Sequence, residues 1–115
     1  MDCGRKRNQA AALCEKAEAI SRLYREAESQ VSLEVRHRWL DLQTARGRVA
    51  VARRATAQAD ENLRVARDRY EQQAGTNTEV LDVETLRLQA YTNLYSSSYE
   101  TVLAGLRLRR AVGDL

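Results

Sequence analysis

Residues 70–84 read YEQQAGTNTEVLDVE, and they hold the one place where a long helical pattern stops and starts again in a new register. Gly75 supplies the stop signal. A residue without Cβ takes the left-handed conformation at the C′ position of a helix at little cost, so Gly75 is the expected C′ residue. Thr76 and Glu79 supply the start signal. Their spacing is that of a capping box, in which the hydroxyl accepts from the Glu79 N–H and the carboxylate reaches back to the Thr76 N–H. Glu79 and Asp82 are expected to put negative charge in the first turn, where the helix dipole favours it. With stop and start adjacent, the two helices must fold back as an antiparallel pair. The predicted fold class is therefore all-α, a long two-helix coiled-coil hairpin with no strand. The turn is expected between Gln73 and Thr78, the first helix over about 5–73 and the second over about 78–112.

Upstream of the tip, positions seven apart form a stripe of Ala10, Ala17, Tyr24, Val31, Arg38, Ala45, Ala52, Ala59 and Ala66. Its companion column is Leu13, Ile20 and Ala27, then Val35, Leu42, Val49, Thr56, Leu63 and Tyr70. A sustained seven-residue repeat implies a left-handed coil against a lengthwise partner. Alanine in one column lets the partner backbone come close. Trp39 widens the stripe. Downstream, Leu81, Leu88, Tyr95 and Val102 make one column, and Val83, Ala90, Ser97, Ala104 and Ala111 make a second, small-residue one. Further apolar residues lie on other faces, so this helix asks for burial on several sides. Gly113, preceded by Arg107, Arg109 and Arg110, closes the pattern.

Composition agrees with long helices. The 115 residues include no proline, 30% charged and only 5% aromatic side chains. Two helices have no third layer to close a core, so apolar surface must meet a partner. The formal charge is +3. Residues 1–75 carry 15 Lys and Arg against 11 Asp and Glu, and the remainder 4 against 5. That balance is too slight for a nucleic-acid binder, and the arginines alternate with acids in RLYREAES and RVARDRYE, as on a solvated face. No apolar run of about 18 residues is present, so no helix is expected to span a membrane. The start lacks the apolar core of a secretory signal, which leaves a cytosolic protein or a piece of a larger one.

Catalytic chemistry has little to work with. His37 is the one histidine and falls off the stripe, with no cluster at metal-ligand spacing. The serine run at 96–98 lies inside a helix and reads as packing. No Gly-rich phosphate loop exists. Cys3 and Cys14 are three turns apart on one helix, roughly 16 Å, beyond disulfide reach. The expectation is a chain that is not an enzyme and has no catalytic, cofactor-binding or metal-ligating residues.

ENLRVARDRYEQQAGTNTEVLDVETL resembles the periplasmic tip signature of the TolC-type outer-membrane efflux factors. In that family an aromatic is followed by glycine and then by an E/D-V-L-D-A run. AVGDL is similar to the family's closing segment, and MDCGRKRNQ to the D-G-G-R stretch where the chain leaves its last barrel strand, with Cys3 in place of a glycine. The resemblance implies the last periplasmic hairpin of a homotrimeric channel, its barrel strands not in this chain. By the same resemblance it would lie on the periplasmic side of the outer membrane. Its partners would be a periplasmic adaptor and an inner-membrane transporter that export drugs, proteins or metals. The tip and aperture residues so implied are Tyr70, Gln73, Gly75, Thr76, Asn77, Glu79 and Asp82. Glu79 and Asp82 match acids that line the aperture. Tyr70 matches an aromatic of the closed state, whose basic partner's position is Gly75 here. Gln73 stands where the family carries a glycine. The residues alone also fit a generic coiled-coil interaction or scaffold module with no channel role. Apolar faces for several neighbours favour the channel hairpin, since a dimeric coil needs one seam.

Overall fold

The computed structural model describes residues 2–114. It contains two helices, α1 (Asp2–Glu71, 70 residues) and α2 (Asn77–Ala111, 35 residues), and no strand among the described residues. The first is thus twice the length of the second. Compared with the sequence reading, α1 begins three residues earlier and ends two earlier, and the turn occupies residues 72–76. No described helix is long and apolar enough to cross a membrane.

The chain divides into two units, Met1–Arg36 and His37–Leu115. In the second, the C-terminal half of α1 runs antiparallel to α2. Its buried positions on α1 are Leu42, Ala45, Ala52, Thr56, Ala59 and Leu63, with Val49 and Ala66 half-buried between and beyond them. They alternate by three and four, as a coiled-coil seam requires. These are the two columns that the heptads singled out. Opposite them, α2 turns in Val83, Ala90, Ser97, Ala104 and Ala111, with Arg87, Leu94, Thr101 and Leu108 between. So the small-residue column of α2 is the inner one. Only Leu42 and Leu63 among the buried residues are larger than threonine. Each contributes about 1.5–3 kcal/mol; the seam is narrow.

Hydroxyls in this seam are spent on their own helix. Ser97 Oγ donates to the Asn93 carbonyl (2.6 Å), Ser98 to Leu94 (2.8 Å), Thr101 to Ser97 (2.8 Å) and Thr56 to Arg53 (2.8 Å). Directional contacts between the helices come instead from the rim. Arg48 faces Glu100 (3.5 Å), Arg67 faces Glu84 (2.9 Å), Arg69 faces Glu79 (3.6 Å) and Arg87 faces Asp60 (2.5 Å).

The N-terminal unit is a single stretch of helix in which residues 2–34 are all exposed. Leu13, Ile20, Tyr24 and Val31 are 53–71% exposed. Trp39, in the second unit, is also half exposed.

Candidate functional site

The tip is built from two abutting helix ends. At the end of α1 the Ala74 N–H donates to the Arg69 carbonyl (2.8 Å) and the Gln73 N–H to that of Tyr70 (3.0 Å). Those two bonds define a Schellman motif with Gln73 at C′. Accordingly Gln73, not Gly75, takes the left-handed backbone, at φ 60°. The same motif ends α2, where Asp114 N–H meets the Arg109 carbonyl (2.9 Å), Gly113 N–H that of Arg110 (3.1 Å), and Gly113 sits at φ 81°.

Gly75 is favoured by close quarters and not by its φ. A Cβ there would lie 2.9 Å from Glu79 Oε2 and 3.3 Å from Arg69 Cβ. The turn therefore brings its backbone against the last turn of α1, and the residue is small because space is short rather than because its φ is positive.

Half of the capping box forms. Thr76, in extended conformation at the N-cap, accepts from the Glu79 N–H at 3.2 Å. The Glu79 carboxylate, expected to return to the Thr76 N–H, turns instead to Arg69, with Oε2 3.6 Å from Nη1. Arg69 also donates to the Ala74 carbonyl at 3.2 Å. One arginine thus ties the end of α1 to the turn and to the start of α2. Only Glu79 lies in the first turn of α2; Asp82 is one turn further on. Both acids nevertheless line one shallow groove of about 400 Å³, together with Arg69, Asn62, Val65 and Val83. Of the other expected tip residues, Asn77 opens α2 and is exposed. Tyr70 is 49% exposed rather than packed in the companion column.

The sequence reading missed two features. Arg69 lay unremarked in an alternating charge run. So did Asp60, which receives the Arg87 guanidinium and also the Tyr91 hydroxyl (2.8 Å) from α2. Arg87 stacks over the Tyr91 ring at 4.7 Å from its centroid. These hydrogen bonds, Arg87 first and Tyr91 second, hold the Asp60 carboxyl below its ordinary pKa. The same contact raises the Tyr91 phenol. Arg87 falls in the inner heptad of α2, a polar position in an otherwise small-residue seam, which was the available signal.

A second candidate surface runs along α2. Leu81, Leu88, Tyr95, Tyr99, Val102 and Leu106, spaced as a second heptad seam with Thr85 and Thr92, lie on the far side from α1. These six are 42–68% exposed. Among the described residues no group of three or more His, Cys, Asp or Glu could hold a metal ion, and His37 is exposed beside Asp41. Comparison with known protein families, with curated proteins and with solved structures finds no match for this chain.

Proposed function

We propose that this chain is a wall-and-tip element of a channel, a helical hairpin that packs side by side with like hairpins and presents its turn to a docking partner. The finer form of this reading is the periplasmic hairpin of a TolC-type efflux or secretion channel. In it, an adaptor protein meets the tip and the residues from Tyr70 to Asp82 lie at the aperture. The observation that supports it most is the pair of seams on α2. One seam meets α1, and the other, on the opposite side, is a largely apolar stripe interrupted by Thr85 and Thr92. A self-sufficient hairpin needs the first alone; a wall needs both.

Within this reading the two acids divide their roles. Glu79 is engaged by Arg69, so its charge is partly offset. Asp82 is exposed and forms no ion pair among the described residues, which makes it the stronger element of a cation-favouring ring. The test is a chimera in which residues 37–115 replace the last hairpin of a TolC-type channel. The chimera should assemble and conduct, and Asp82→Asn should lower its cation preference in single-channel recordings more than Glu79→Gln does. A chimera that folds but never assembles would remove the channel reading and leave the coiled-coil scaffold, which the long exposed stripe of the N-terminal unit also suits.

A further inference from the structure

The N-terminal unit presents a seam with no cover, and its charges are segregated end to end. Leu13, Ala17, Ile20 and Tyr24 form the centre of the stripe, and all are exposed. Residues 3–14 carry three bases, Arg5, Lys6 and Arg7, and no acid. Residues 26–35 carry three acids, Glu26, Glu28 and Glu34, and no base. We propose that this unit is a homodimerisation helix: residues 6–31 of two copies pair antiparallel, the basic turn of each lying against the acidic stretch of the other.

Three observations select that occupant and that direction. The heptad column of Ala10, Ala17, Tyr24 and Val31 is in phase with Ala45, Ala52 and Ala59, which are buried against an antiparallel helix in the second unit. A parallel pair would set Arg5, Lys6 and Arg7 of one copy beside those of the other and so bring six positive charges together within one turn. Antiparallel pairing in the register set by the charges places Leu13 against Tyr24 and Ala17 against Ile20 of the second copy. Ala17 then meets Ile20 twice at the centre, with a Leu13–Tyr24 pair on either side. In the same register Arg7 and Glu28 occupy facing e positions, twice by symmetry. Neither has an ion partner within the chain among the described residues. A register one heptad longer would bury Val31 but would carry the acids past the bases.

This contact uses a different face from the outer seam of α2, and it reverses one α1 against the other where wall hairpins would run the same way. It is thus an assembly of the chain outside a channel and fails separately from that reading. The test is sedimentation of the whole chain at tens of micromolar, with circular dichroism to confirm helix content. Dimer is expected. Ile20→Glu should give monomer, whereas Leu88→Glu on the outer seam of α2 should leave the dimer intact. Arg7→Glu and Glu28→Arg should each weaken dimerisation about tenfold, and the double exchange should restore it. Cys3 occupies the same heptad column as Ala10, so a parallel pair would face Cys3 with Cys3 and cross-link readily under oxidant. The antiparallel pair sets Cys3 against Glu34. A monomeric wild type, a quantitative Cys3 disulfide, or a charge exchange that fails to rescue would each overturn the proposal. A dimer lost in Leu88→Glu but kept in Ile20→Glu would overturn it too, while leaving side-by-side packing through α2 standing.

Discussion

Replacing Gln73 by glycine should stabilise the hairpin. Gln73 sits at φ 60°, where a side chain bearing Cβ meets the neighbouring carbonyl at a cost of about 1–2 kcal/mol. Glycine escapes that cost but brings extra freedom to the unfolded chain, which offsets part of the gain. A net gain of about 1 kcal/mol remains, or roughly 4–8 °C in midpoint for a unit of this size. The equivalent position in the second Schellman motif is already glycine, Gly113 at φ 81°, and a Cβ added there would meet no atom within 4 Å. Gly113→Gln therefore imposes the same backbone cost without any steric one, and it should lower stability by a similar or smaller amount, since chain ends fray. Gln73→Ala is the control: it removes the side chain and keeps the Cβ, so it should move the midpoint little. The measurement is thermal and urea unfolding followed by circular dichroism at one fixed protein concentration. If Gln73→Gly leaves the midpoint where it was or lowers it, Gln73 is not the left-handed residue and the hydrogen-bond pattern assigned to the tip is wrong.

Asp60 should give the hairpin a defined acid sensitivity. Its folded pKa is depressed by Arg87 and Tyr91, so its stabilising contribution is present above the unfolded value and disappears as pH falls through the folded one, below about pH 4. The midpoints of wild type and Asp60→Asn should differ at pH 7 and converge as the pH falls below the ordinary carboxylate range; parallel curves would contradict this. Ala52→Leu should destabilise by about 1–3 kcal/mol in urea unfolding, because the inner columns bring the helices close, whereas exposed Val51→Leu should fall within about 0.5 kcal/mol. Equal stabilities for the two would mean that the seam has room to spare.

Much of the fold was readable from spacing alone. The columns through Ala45, Ala52, Ala59 and through Leu42, Thr56, Leu63 are the buried ones, because α2 lies against that half of the repeat, while the same repeat stays exposed upstream. The stop-start pair put the turn within a residue or two of its place. What spacing does not encode is which of two equally regular columns of α2 faces inward. Val83 to Ala111 took the inner side because small residues let the alanine column of α1 approach, and Leu81 to Leu106 remained outside. At the tip, glycine invited a conformational reading at position 75 when the constraint there is the room left by Glu79 and Arg69. The left-handed turn fell on Gln73 because hydrogen-bond count, measured back from the last helical carbonyls, fixes that position regardless of residue type. Arg69 was lost among similar charges; only the folded turn distinguishes it.

The serine and threonine hydroxyls that bond back to their own helix have a mechanical consequence. Each closes on a carbonyl three or four residues earlier, so none of these reaches across to tie one helix to the other. The interior of the hairpin behaves as a bearing surface of methyl groups, and what resists sliding is the row of arginine–carboxylate clasps along its rim. Individually exposed clasps of that kind are weak and yield to salt. Added salt therefore loosens the rim that fixes the register along the hairpin and leaves the apolar seam across its width in place.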